Sequence, residues 1–161
     1  MLPSEVATAV IWHRPETALV VLDTNAVLDW LLFRNPEMDE LGAAIAAGDL
    51  QWVATGSMRD ELAQVLARGH LDDWRPDPSM IWAKWALHCS ESAEPGLAAP
   101  LTRPRCTEPD DQKFVDLAVC AGARWLISRD RAVLKLAGRL RRLGVAVMPP
   151  GRWSAPLTPV D

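Results

Sequence analysis

The apolar run Ala18–Leu22 most restricts the folds open to this chain. Its length and two central valines are typical of a strand buried on both faces of a parallel sheet. Similar short runs follow at residues 50–54, 125–128 and 145–148, and helical patterns separate them. Strands that alternate with helices predict a three-layer α/β/α fold, with a central parallel sheet in a single domain.

Between the predicted strands, apolar residues recur at helical spacing and capping residues mark the segment ends. We expect Thr107 to cap a helix that Gly122 terminates. Residues 70–107 contain five prolines and read as an irregular insertion with one helix. The predicted domain covers residues 18–153. Residues 1–17 form an N-terminal extension, which could instead supply an edge strand at 7–12. Residues 154–161 form a C-terminal tail. The predicted helices cover residues 25–33, 39–48, 57–68, 79–93, 107–122 and 131–143.

Composition excludes several classes of protein. No apolar run approaches the ~20 residues of a membrane span, and the first residues lack the basic region of a secretory signal. We therefore predict a cytoplasmic protein that does not bind membranes. Three histidines, and three cysteines without a CxxC spacing, argue against a zinc site. The net charge of −4 argues against nucleic-acid binding by bulk charge, but not against a nuclease whose acids hold metal.

Four acidic residues occupy positions where a cleft is expected. Asp23 and Asp130 follow apolar strands, and parallel strands direct such residues to one edge of the sheet. Asp111 shares the apolar stripe of its helix, and Glu61 borders the stripe of another. Singly, each has a simpler explanation as a turn, cap or solvated residue. Together they predict a Mg²⁺ or Mn²⁺ site, because clustered carboxylates repel one another without a hard cation, and a phosphodiester substrate.

The sequence around the four acids resembles the PIN-domain ribonuclease family, in its VapC-like branch of bacterial toxins from toxin–antitoxin pairs. Order and spacing match from about residue 19 to residue 153. The stretches that carry the resemblance are 21–25 (VLDTN), 57–68 (SMRDELAQVLAR), 109–118 (PDDQKFVDLA) and 123–130 (ARWLISRD).

The resemblance implies a metal-dependent endoribonuclease that leaves 5′-phosphate and 3′-hydroxyl ends. Its catalytic and metal-binding residues carry over onto Asp23, Glu61, Asp111 and Asp130. Supporting residues that orient ligands and water would be Thr24, Asn25 and Ser128. Four arginines are candidates for contacts with RNA phosphates, although solvated side chains are the simpler explanation for each: Arg129, Arg131, Arg105 and Arg103.

The resemblance also implies a homodimer that a small antitoxin protein inhibits by covering the acidic cleft. Three tryptophans support an interface, since Trp30, Trp82 and Trp85 are hard to bury together in a small domain. The main alternative is a PIN-like module that binds RNA or protein with weak or no catalysis. A plain interaction protein that docks through Trp82 and Trp85 is a third possibility.

Other phosphate-handling families fit less well. A haloacid-dehalogenase phosphatase needs a second aspartate two residues after the first, where this chain has Asn25. A receiver domain would pair Asp23 with another acid near the N-terminus. Neither a GxGxxG nor a Walker loop is present, which argues against dinucleotide and P-loop enzymes.

Overall fold

The computed structural model describes residues 17–96 and 103–156. Residues 1–16 and 157–161, which hold almost all of the predicted extension, its alternative strand and most of the tail, lie outside the described residues. The strands are β1 (Ala18–Leu22), β2 (Leu50–Thr55), β3 (Cys89–Ser92), β4 (Trp125–Ile127) and β5 (Ala146–Met148). The helices are α1 (Thr24–Leu31), α2 (Asp39–Ala47), α3 (Gly56–Ala67), α4 (Pro78–His88), α5 (Gln112–Ala121), α6 (Arg131–Leu134) and α7 (Ala137–Arg142).

The five strands form one parallel sheet in the order β3-β2-β1-β4-β5. The chain builds outward from β1 through β2 to β3, then crosses over to β4 and β5 on the other side. Because crossovers between parallel strands are right-handed, this reversal places α1–α4 on one face and α5–α7 on the other. The predicted three-layer α/β/α fold with a parallel sheet is confirmed.

The central strands β1 and β4 form the most deeply buried part of the core. Val20, Val21, Leu126 and Ile127 are fully buried, and Val21 pairs with Leu126 across the ladder. Each such side chain contributes about 1.5–3 kcal/mol by leaving water. The ends of β1 and β4 are therefore held rigidly side by side.

No helix in the described part of the chain is long and apolar enough to cross a membrane.

The three tryptophans predicted to seek an interface each pack on aromatic side chains of the same chain. Fully buried Trp52 meets Trp85 edge to face, with ring centroids 4.9 Å apart, and Trp30 at 5.7 Å. Trp82 packs on Trp85 at 5.8 Å. Trp85 is buried, while Trp30 and Trp82 are partly buried. Edge-to-face aromatic packing therefore accommodates these side chains within one copy of the chain.

The segment at 70–107 contributes a strand that was not predicted from the sequence. The predicted helix at 79–93 ends at His88, because residues 89–92 pair with β2 as the edge strand β3. Thr107 does not cap the following helix. That helix begins as a 3₁₀ turn at Pro109–Asp111. Proline fits this first turn since its missing N–H has no helical partner there. The predicted helix at 131–143 divides into α6 and α7.

An added methyl group should affect stability differently at two helical glycines, Gly42 and Gly138. A Cβ at Gly42 would overlap the Trp30 indole, lying 2.9 Å from its Cδ1, whereas a Cβ at Gly138 would meet no atom within 4 Å. Trp52 and His88 pack on the Trp30 ring, so it is not free to move aside. We expect Gly42→Ala to lower the free energy of unfolding by about 1–3 kcal/mol. The control Gly138→Ala should leave it unchanged or raise it by up to about 1 kcal/mol. Urea denaturation measures both, and equal effects would contradict the predicted overlap.

Candidate functional site

The candidate site lies at the carboxyl edge of the sheet, where the strand order reverses between β1 and β4. Asp23 directly follows β1, and its backbone N–H donates to the carbonyl of Ile127 at the end of β4 (3.1 Å). Ser128 and Asp130 follow β4. Ligands of open parallel sheets bind at such a reversal, because the loops diverge there and leave a crevice.

Asp23 is a buried carboxylate with an exposed fraction of only 4%. It caps α1, accepting a hydrogen bond from the backbone N–H of Ala26 (2.8 Å). Burial raises its pKa from 3.8 to about 6, against the lowering effect of hydrogen bonds from Ser128 and Ala26; the charges of Asp130 and Asp29 raise it further. Helix capping does not require a carboxylate to be buried. Burial of the Asp23 carboxylate therefore carries an energetic cost that capping alone does not explain.

Asp111 and Asp130 form a pair of carboxyl groups across the cleft. Asp111 ends the 3₁₀ turn before α5, and Asp130 caps α6 by accepting from the N–H of Ala132 (2.8 Å). Burial raises the pKa of Asp111 from 3.8 to about 7, with further contributions from its hydrogen bond to Asp130 and from the charges of Asp130, Asp23 and Glu61. Asp111 therefore retains its proton up to about neutral pH.

Glu61, on α3, faces this cleft and both of its carboxylate oxygens are engaged. Oε2 accepts a hydrogen bond from the hydroxyl of Thr24, the residue after Asp23. Oε1 accepts from the ammonium group of Lys113 on α5, at 2.5 Å. Glu61 is thus joined to the elements that carry Asp23 and Asp111. Lys113 was not predicted, although its position two residues after Asp111 was a signal that could have indicated it.

The structure brings the four predicted acids to one cleft but does not arrange them as a formed cation site. Within the described ranges, no three acidic, histidine or cysteine side chains stand close enough together to hold a metal ion. Chemically, oxygen-only donors fit Mg²⁺ or Mn²⁺. Burial, with smaller contributions from neighbouring carboxylates, raises the pKa values of Asp23 and Asp111, and a bound cation would oppose this effect. Binding a cation there would require loss of the proton from Asp111 and movement of Lys113 away from Oε1 of Glu61.

The predicted supporting residues differ in their placement. Fully buried Ser128 bonds to the Asp23 carboxylate and accepts a hydrogen bond from the N–H of Asp130 (3.0 Å), so it links two of the acids. Thr24 orients Glu61. Asn25 is exposed and makes no side-chain hydrogen bond within the described part of the chain.

Two of the four candidate phosphate-binding arginines are occupied by acidic partners. Arg129 contacts Asp29 (3.2 Å) and Glu37 (2.7 Å) at the rim of the cleft. Arg103 lies 2.9 Å from Asp116. The other two candidates, Arg105 and Arg131, are exposed and form no ion pair with another described residue.

A second polar group at the same edge was also missed. Glu94, just beyond β3, accepts hydrogen bonds from the backbone N–H (2.8 Å) and hydroxyl (3.1 Å) of Ser57, and so caps α3 from a distant part of the chain. Partial burial opposes ionisation of Glu94, yet hydrogen bonds from Ser57 and Thr55 and the charge of Lys113 lower its pKa. Thr55 occupies the N-cap position of α3, but its side chain makes no capping hydrogen bond.

Comparison with known proteins places this geometry in a family. No curated protein matches the chain. A family model described as PIN domain matches residues 19–132, a span that includes Asp23, Glu61, Asp111 and Asp130. Proteins with this domain are generally nucleases. Since the match covers more than half of the sequence and the fold agrees with it, the chain belongs to the PIN-domain family.

Proposed function

We propose that this protein is a metal-dependent endoribonuclease that hydrolyses RNA phosphodiesters, leaving 5′-phosphate and 3′-hydroxyl ends. The observation that carries the proposal is the placement of two carboxyl groups whose pKa values are raised by burial, Asp23 and Asp111, beside Asp130 at the reversal point of the sheet. Keeping such groups together is costly in a protein that does not use them. Their oxygens match the preference of Mg²⁺ and Mn²⁺.

The residues of the cleft have distinct tasks in this proposal. When bound, Mg²⁺ or Mn²⁺ supplies positive charge that activates water and offsets charge on the phosphate. Asp23, Asp111, Asp130 and Glu61 would hold it. Ser128 fixes the Asp23 carboxylate through its hydroxyl, and Thr24 fixes Oε2 of Glu61. Because burial raises the pKa of Asp111 to about 7, a role of Asp111 as a ligand predicts that activity increases with pH around neutrality.

Cleavage of RNA with defined metal content tests the proposal. We expect the purified protein to cut total RNA with Mn²⁺ or Mg²⁺ and not with EDTA. Fragments should ligate to adapters without prior phosphorylation of their 5′ ends. Undiminished cleavage in EDTA, or 5′-hydroxyl products, would contradict metal-assisted attack by water.

A second candidate function is a PIN-like module that binds RNA or protein with weak or no catalysis. The bond between Glu61 and Lys113 favours it, because that bond already neutralises one proposed metal ligand. Isothermal titration with Mn²⁺ separates the two candidates. The enzyme should bind Mn²⁺ through Asp23 and Asp111 and lose that binding in Asp23→Asn, whereas the binding module has no need of Mn²⁺.

We further propose that the protein acts in the cytoplasm as the toxin of a toxin–antitoxin pair, as a homodimer inhibited by a small antitoxin. The resemblance of its four motifs to such toxins supports this assignment. The contact of Lys113 with Glu61 adds support, since the cleft accepts a basic side chain and an inhibitor's arginine would bind likewise. Sedimentation equilibrium tests the dimer. Co-purification of the neighbouring gene product, with suppression of RNA cleavage, tests the antitoxin.

A further inference from the structure

Lys113 stands out because its charge sits inside the cleft. Its Nζ lies 2.5 Å from Oε1 of Glu61 and 2.7 Å from the carbonyl oxygen of Asp110. Among the described residues, it provides the sole basic side chain within 4 Å of a predicted site carboxylate. A quarter of its side chain remains exposed, so Lys113 is accessible from solvent.

The ammonium group contacts a carboxylate oxygen that is a candidate metal ligand. Hard divalent cations bind carboxylate oxygens at about 2.0–2.6 Å, comparable to the contact that Lys113 makes with Oε1. The other oxygen of Glu61 is already taken by Thr24. An ammonium group and a divalent cation on the same oxygen would repel each other strongly at such short range. This repulsion favours one of the two cations at a time on Oε1 of Glu61.

Resting on the metal-dependent function proposed above, we infer that Lys113 is an exchangeable counter-ion of Glu61. It neutralises Glu61 in the metal-free protein, gives way to the divalent cation, and then contacts an RNA phosphate with the released ammonium group. The four-carbon stem of lysine allows such a displacement, and its ammonium binds phosphate as a point charge. Arg129 and Arg103 are less suited to this task, since their guanidinium groups already contact acidic partners.

Mn²⁺ titration of Lys113→Gln tests the exchange. Removal of the competing cation should tighten Mn²⁺ binding about three- to fivefold, the range for a partly exposed ion pair. Lys84→Gln is the matched control, because it removes the same charge from exposed Lys84 on α4 and should leave Mn²⁺ binding unchanged. In the Glu61→Gln variant, the further change Lys113→Gln should not alter Mn²⁺ binding, since the partner of the ion pair is gone.

RNA binding with Ca²⁺ in place of Mn²⁺ tests the phosphate contact without requiring cleavage. For Lys113→Gln, we expect about tenfold weaker binding and a plot of log K against log salt that is shallower by about 0.7. Lys113→Arg keeps the charge and should keep the wild-type slope. Circular dichroism and thermal unfolding confirm that each variant is folded.

The outcomes separate this inference from the function on which it rests. Tighter Mn²⁺ binding together with a shallower salt slope in Lys113→Gln is the expected result. Mn²⁺ binding that is unchanged or weaker in this variant overturns the inference, and so does an unchanged salt slope, while the nuclease proposal stands in both cases. A wild-type protein that binds no Mn²⁺ overturns the nuclease proposal, and the inference falls with it.

Discussion

Asp23→Asn should abolish metal-dependent RNA cleavage and at the same time stabilise the metal-free protein. The substitution keeps the volume of the side chain and the oxygen that accepts from Ala26, but it removes the buried charge. We expect cleavage to fall by about a thousandfold or more. This loss exceeds the ~10–100-fold typical of removing a residue that only hydrogen-bonds to a metal ligand. Because burial raises the pKa of Asp23 from 3.8 to about 6, its ionisation costs ~3 kcal/mol at pH 7, at about 1.36 kcal/mol per pKa unit. Much of that cost disappears with asparagine.

Urea denaturation at pH 7 without metal, beside RNA cleavage with Mn²⁺, measures both effects. Asp29→Asn is a suitable control, because Asp29 is also buried on α1 but contacts Arg129. Burial also raises the pKa of Asp29, against the lowering effect of Arg129, so this control removes a second buried charge and should likewise gain stability. Unlike Asp23→Asn, it should keep most of its cleavage activity. A loss of both stability and activity in Asp23→Asn would indicate a structural carboxylate rather than a metal ligand.

The sequence was informative wherever a local pattern decides the structure. Residues 18–22 and 125–128 are apolar and short, so their burial in a parallel sheet followed from composition alone, and the positions of Asp23 and Asp130 followed from the strand ends. The edge strand β3 was missed because its sequence, CSES, is polar. Its backbone hydrogen bonds to β2, rather than its side chains, place it in the sheet.

Interactions between distant segments could not be predicted in the same way. Glu61 and Lys113 are 52 positions apart, and Ser57 and Glu94 are 37 apart, so neither contact leaves a local signal. For the same reason, the contacts of Arg129 with acidic side chains were not predicted, and this residue was expected to contact phosphate. Its partner Glu37 lies 92 positions away, where no spacing rule applies. The sequence could indicate which acids share a cleft, but not which cations already neutralise them.

The stability of the metal-free protein should decrease as the pH rises from about 4 to about 7, and Mn²⁺ should restore it. Burial raises the pKa of Asp23 to about 6 and that of Asp111 to about 7. A carboxyl group whose pKa is higher in the folded protein favours folding below its unfolded pKa of 3.8, and this contribution is lost as the pH passes the folded pKa. We expect a loss of ~3 kcal/mol from Asp23 alone, and a smaller loss from the more exposed Asp111.

Denaturation in urea at pH 5 and pH 8, with and without Mn²⁺, tests this linkage. Mn²⁺ at about a hundred times its dissociation constant should add ~2.7 kcal/mol at pH 8. It should add much less at pH 5, where protons compete for Asp23 and Asp111. Asp111→Asn should weaken the dependence of stability on pH in the metal-free protein, because it eliminates a titrating group. It should also remove most of the stabilisation by Mn²⁺, because it eliminates a ligand. A Mn²⁺ effect of equal size at both pH values would mean that the ion binds away from these carboxylates.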